Sequence, residues 1–347
     1  DTNGDGYDDV IAAGPYGNGT NGVLWVMQGP VTTANFGTAY DARWLPTDGG
    51  HCCESIDGGF DVDGDGTDDV LVSNEAVNSY TGRAYLLLGP FSGDHTATAS
   101  YTGSATGDQL GARVIARDFS GDGTEDFLLA APLNDELTTN GGSVYLVHGP
   151  GTSSLTLGAG AEDLRIRGSV GGAQFGDSVG GGDLDGDGQE DLLVGATQHD
   201  QPKTNAGAFY AFFNPGTGVT KSSKADVTIT GVFTNQAIGF GGGGVDMDGD
   251  GQQDLVMSGP FNASSSSYGN RYYSGITYVF YGPMSGSYDT DDADSILYGA
   301  YYDAAGSAGV ATDWDGDGDQ DLWLGARTNS DVATYNGAAY LVLGGGI

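Results

Sequence analysis

Six nine-residue stretches of the form D-x-[DNS]-G-D-G-x-x-D begin at Asp1, Asp61, Asp118, Asp183, Asp246 and Asp313. Glycine at the sixth position tolerates the sharp turn that lets oxygens at positions one, three, five and nine converge. Those side chains are Asp1, Asn3, Asp5 and Asp9; Asp61, Asp63, Asp65 and Asp69; Asp118, Ser120, Asp122 and Asp126. The later copies supply Asp183, Asp185, Asp187 and Asp191; Asp246, Asp248, Asp250 and Asp254; Asp313, Asp315, Asp317 and Asp321. Hard oxygen donors in this number suit Ca²⁺ better than Mg²⁺, which demands a small octahedron and keeps its waters. The expectation is about six Ca²⁺, one per loop. The Asp118–Asp126 loop, with Ser120 at position three, should bind more weakly, because affinity follows ligand charge. A metal-free Asp/Gly turn is the plain alternative for any single loop, and the regular repetition argues against it.

The elements around each loop exclude a helix–loop–helix calcium site. Such a site needs an acid at position twelve, and here that position holds Ala12, Val72, Leu129, Val194, Met257 or Leu324. From the ninth residue onward runs a short apolar stretch, as in DVLVSN (69–74) or DLLVGA (191–196), which predicts a buried strand. The loops recur at intervals of 60, 57, 65, 63 and 67 residues. A nine-residue β-helix repeat is thereby excluded and a repeated sheet unit favoured.

A second apolar run follows each loop strand: 22–30, 82–90, 142–150, 207–215, 275–283 and 337–345. Most close on a Gly-Pro turn. A weaker strand comes next, as at 163–168 and 226–231, and a Gly/Ala-rich one precedes the next loop, as at 109–117, 174–182, 238–245 and 305–312. Small residues suit an innermost strand where several sheets converge. Four antiparallel strands per unit, with no long helical period, predict an all-β chain and a β-propeller of four-stranded blades.

The order Phe175-Gly176, Asp183-Leu-Asp-Gly-Asp-Gly, Asp191-Leu-Leu-Val-Gly195-Ala196, Gly207-Ala-Phe-Tyr210 resembles the FG-GAP repeat of integrin α-subunit propellers and bacterial surface proteins. Leu110-Gly111, Ile238-Gly239 and Ala305-Gly306 stand at the FG position of other copies, and Cys53-Glu54 at that of the second. The resemblance covers essentially the whole chain. It implies one propeller domain over 1–347 with six blades, or seven if flanking sequence adds another. It also implies Ca²⁺ in each loop, all on one face of a disc. Counted this way the chain holds 22 strands, two short of six full blades. The first inner strand would precede Asp1 and the last outer strand would come after Ile347. Flanking sequence, a seventh blade or a neighbouring molecule would then complete the ring.

Formal net charge is −36, from 47 acids against 11 Lys and Arg. That balance argues against nucleic acid, whose phosphates need basic partners, and against anionic membranes. No apolar run of about twenty residues is present to span a bilayer. Calcium loops of this type fill where Ca²⁺ is plentiful, so an extracellular or cell-surface location is expected. The opening at Asp1, inside a loop, reads as a processed or partial chain. Cys52 and Cys53 are the only cysteines, and a vicinal bridge, a free pair and a link to another chain all remain open.

Functionally, the expectation is a non-catalytic binding or adhesion module for a protein or glycan. The alternative is a structural subunit of a filament that pairs with copies of itself, and a polysaccharide-active enzyme stands third. No HExxH or GxSxG pattern occurs, and His51, His95, His148 and His199 form no catalytic spacing. Resemblance to integrins places recognition on the long loops opposite the calcium face. Tyr268, Arg271, Tyr272 and Tyr273 are the candidates there, since Tyr and Arg dominate hot spots; packing against neighbouring loops is the competing role. Asn18 and Asn262 begin glycosylation sequons.

Overall fold

A computed structural model describes residues 1–17, 21–31, 39–259, 274–300, 302–329 and 337–345. The candidates Tyr268, Arg271, Tyr272 and Tyr273 lie outside these residues, as do both sequons. The described chain is all-β: 26 strands in six sheets, with helix limited to turns of three or four residues. The strands group into two compact units. One comprises 1–167 with 216–220, the other 168–215 with 221–347. Each holds three sheets.

One strand order recurs. A loop strand starts just behind each acidic loop: Val10–Gly14, Asp69–Asn74, Asp126–Ala131, Asp191–Ala196, Asp254–Gly259 and Asp321–Ala326. It pairs antiparallel with a partner strand: Val23–Met27, Arg83–Leu87, Ser143–Val147, Ala208–Phe212, Ile276–Phe280 and Ala338–Val342. On its other side runs an inner strand: Ile56–Phe60, Arg113–Arg117, Ser178–Gly182, Gly241–Val245 and Ala305–Thr312. An outer strand follows the partner strand in five sheets: Ala42–Trp44, Ala99–Gly103, Leu164–Arg167, Val227–Thr230 and Ser295–Tyr298. Four sheets thus hold the full set of four; among the described residues the first sheet has no inner strand and the sixth no outer one. These are the strands expected from the sequence. Most loop and partner strands are buried along their whole length, so both faces of the sheet are covered.

Four further strands were not expected. Gly93–His95, Leu155–Leu157, Gly218–Lys221 and Gly286–Asp289 each add a fifth or edge position beside an outer strand. Three pair in parallel, for example Gly286–Asp289 on Val227–Thr230. The purely antiparallel four-stranded unit is therefore corrected to an antiparallel four with a short parallel edge.

Neighbouring sheets within a unit meet in apolar layers. In the first, Leu71, Leu86, Tyr101, Phe127 and Leu129 form one such layer; in the second, Leu193, Phe209, Leu255, Tyr278 and Phe280 form another. Backbone approaches backbone along a seam beside these layers. Gly82, Gly207 and Gly275 each precede a partner strand with φ of +81°, +80° and +74°. A Cβ there would lie 2.1–2.4 Å from the main chain of Leu110, Ile238 and Ala305 respectively. Gly22 faces Cys52 in the same way.

That seam corrects the alignment of the second repeat. The Cys52 N–H donates to Asn21 O, as Leu110, Ile238 and Ala305 donate to Thr81, Ala206 and Ser274. Cys53 donates to Ser73 O and has φ +73°, matching the glycine role of Gly111 and Gly176. The FG position is thus Cys52-Cys53, not Cys53-Glu54. The register shift between Gly58 and Phe60, a bulge, supplies the extra residue that misaligned the sequence. The two cysteines form a vicinal disulfide, and both are buried.

Candidate metal centres

Five of the six acidic loops join an inner strand to a loop strand, so their geometry is set by two paired strands and by their own hydrogen bonds; the Asp1–Asp9 loop leads straight into its loop strand. In the second repeat Asp61 Oδ1 accepts from the N–H groups of Gly64 (2.8 Å) and Asp65 (3.0 Å), and its Oδ2 from Gly66 (2.8 Å). Asp63 accepts from Asp65 N–H, and Asp65 from Thr67 N–H. The fourth loop repeats the set with Asp183, Asp185 and Asp187. Side chains of Asp thus compete for local N–H groups and curl the chain around them. The glycine at position six holds positive φ in every copy, for instance +91° at Gly66 and +87° at Gly188.

The outcome is convergence of carboxylates. Among the described residues, oxygens of Asp61, Asp63 and Asp69 lie within 4.8 Å of one another, as do those of Asp183, Asp185 and Asp191. Asp246, Asp248 and Asp250 form a third group, and Asp313, Asp315 and Asp321 a fourth. The loops with Asn3 and Ser120 form no such triple among the described residues. Asn3 instead donates to Asp5 Oδ2, and the Ser120 hydroxyl lies 3.4 Å from Asp118 Oδ1. Three anionic oxygens this close repel one another and fit a hard divalent cation. Residue by residue, the donor set matches what Ca²⁺ takes.

The ninth aspartate does more than the spacing suggested. Asp69 is fully buried; its Oδ2 accepts from Val62 N–H and its Oδ1 from Gly89 N–H, both at 2.9 Å. Gly89 lies two residues past the partner strand Arg83–Leu87, so one carboxylate ties the loop to the end of that strand as well as to its own. Asp9, Asp126, Asp254 and Asp321 make the same clamp to Gly29, Gly149, Gly282 and Gly344. Burial pushes the Asp69 carboxyl up to about 6 and the Asp191 carboxyl up to about 7, with loop acids adding to the rise. A bound cation opposes that rise by favouring the charged form.

Other acids are staples of the sheet. Asp41, Asp163, Asp226 and Asp294 each accept from a backbone N–H just past a partner strand, those of Gln28, His148, Phe213 and Tyr281. At the opposite end, buried polar groups recur: Asn134 donates to Asp108 at 2.5 Å, and Asn329 to Asp303 at 2.9 Å. Tyr145 and Tyr340 lie in these clusters, and Asp48 with Arg83 and Tyr85 forms a related one. The partners come from connections and strands far apart in sequence, so no local motif announces them.

Comparison with known proteins matches parts of the chain. A family model described as "FG-GAP repeat" matches residues 175–212, and one described as "FG-GAP-like repeat" matches 61–129. Phosphatidylinositol-glycan-specific phospholipase D of Mus musculus is 31% identical over 188 residues, 53% of this chain and 22% of that protein. Integrin alpha-5 of Xenopus laevis is 30% identical over 208 residues, 56% of this chain and 18% of that protein. The matched region therefore spans about a fifth of these relatives. Among solved structures, Bacillus licheniformis rhamnogalacturonan lyase PL11 superposes with a TM-score of 0.45 at 12% identity, covering 98% of this chain and 56% of that one. No helix among the described residues is long and apolar enough to cross a membrane.

Proposed function

Because this chain is an FG-GAP repeat protein similar to integrin α-subunits, we propose that it is a calcium-stabilised β-propeller serving as a non-catalytic binding or adhesion module outside the cell. In this reading the sheets are blades of a single domain, six or seven in number. The residues at positions one, three, five and nine of the six loops hold about six Ca²⁺. The observation that carries the reading is the convergence of three carboxylates in four loops whose strands repeat the same order.

Calcium would neutralise a local excess of negative charge and join loop to strand at each ninth aspartate. The chain's residues do the holding: the strands set the spacing, and the Asp–backbone bonds shape the cup before the ion enters. Ligand recognition then falls to the long loops at the opposite end, with Tyr268, Arg271, Tyr272 and Tyr273 as contacts to a protein or glycan. Light scattering on the purified chain tests the module reading. A compact monomer in calcium that expands in chelator supports it. Large calcium-dependent assemblies would replace it with a self-pairing structural subunit.

A further inference from the structure

Repeat four breaks the clamp rule. In five repeats the ninth aspartate uses Oδ1 to accept from a glycine N–H at 2.7–2.9 Å. In the fourth, Asn214 stands where that glycine would be. Asp191 Oδ2 still accepts from Leu184 N–H at 2.7 Å, but its Oδ1 is buried with no hydrogen-bond donor among the described residues. Asp191 itself is fully buried. The Asn214 side chain turns instead to the loop, donating through Nδ2 to Asp187 Oδ2 at 2.6 Å.

A buried carboxylate oxygen without a donor is costly and persists where something else satisfies it. Its carboxylate contributes one oxygen to the cluster with Asp183 and Asp185, all within 4.8 Å of one another. An oxygen free of an N–H keeps its full lone-pair density for a hard cation. Asn214 meanwhile holds Asp187 in place, as outer partners of metal ligands do.

Resting on the calcium reading above, we propose that the fourth loop is the tightest cation site of the chain, and that Asn214 is the positioning residue that makes it so. The loops are then graded: the fourth fills first, and the loop carrying Ser120 fills late.

The test uses calorimetric Ca²⁺ titration of the full, chelator-stripped chain, with hydrogen exchange across residues 183–196 as a second readout. Asn214→Gly restores the residue carried by the other five repeats, so the fold has precedent for it. Residue 214 already carries an N–H, but Asn214 holds it at φ +42°, a left-handed conformation that none of the five clamp glycines adopts; losing the Nδ2–Asp187 bond should let that N–H turn to Asp191 Oδ1. The tightest binding event should weaken about tenfold, the lower end for outer-shell partners. Protection of 183–196 in chelator should increase at the same time, because the orphan oxygen is satisfied. Asp191→Asn should abolish the tightest event, while Asp69→Asn should leave it intact. A tightest event that survives Asp191→Asn, or an Asn214→Gly chain with unchanged affinity and exchange, overturns the inference alone. Absence of any Ca²⁺ binding by the parent chain overturns it together with the calcium reading.

Discussion

The seam between repeats rests on glycine, and replacing Gly207 by alanine probes it. Gly207 is buried at φ +80°, and an added Cβ would sit 2.3 Å from Ile238 O and 2.4 Å from Ile238 N. Alanine there carries two costs. The left-handed backbone disfavours it by about 1 kcal/mol. The clash adds about 2 kcal/mol, as for overpacking generally, because the obstacle is backbone bridged to Gly207 and cannot rotate away. Gly172 isolates the first cost: it has φ +76°, and nothing lies within 4 Å of its Cβ position. It is exposed and in the same compact unit. Urea unfolding in chelator should therefore show a loss of about 1 kcal/mol for Gly172→Ala and about 3 kcal/mol for Gly207→Ala. Hydrogen exchange should place the extra loss in the strand Ala208–Phe212. Equal losses for the two variants would refute the seam as a steric constraint.

Other consequences can be checked directly. Asn134→Ala strips the buried Asp108 of its 2.5 Å donor and should cost about 2–3 kcal/mol, read as faster hydrogen exchange in the loop 132–142. Cys53→Gly should be tolerated under reducing conditions, because glycine fills the same positive-φ position in other repeats; Cys53→Val should cost about 2 kcal/mol more in urea unfolding. His199 is buried, which lowers its pKa below 6.5, so the native protein resists a proton that the unfolded chain accepts. Stability should accordingly fall as pH drops below about 6.5, and His199→Gln should flatten that slope in unfolding experiments between pH 7 and 5.

Much of the architecture was legible because two strong signals coincide. The acidic loops mark each unit, and the runs behind them alternate aromatic and aliphatic residues over strand lengths. The edge strands escaped notice because segments such as Gly93–His95 and Gly286–Asp289 are short, polar and exposed on one side. Gly93–His95 is held by backbone pairing and the Arg43–Asp94 ion pair, which leaves no hydrophobic pattern. The misplacement at Cys53-Glu54 arose from a bulge, whose extra residue cannot be counted until the strand pairing is known. The metal centres were readable as ligand spacing, whereas the clamp by the ninth aspartate was not. Its second partner, Gly89 for Asp69, lies twenty residues away, just past another strand. The same reason hid Asn214, whose effect shows only against the glycines of the other five repeats.

Native mass spectrometry of the chelator-stripped chain titrated with calcium tests the central claim most directly. The account predicts stepwise uptake of up to about six Ca²⁺ at millimolar calcium, with at least the four converged loops filled. It also predicts a parallel rise in unfolding temperature. A folded chain that retains no Ca²⁺ under those conditions would contradict it.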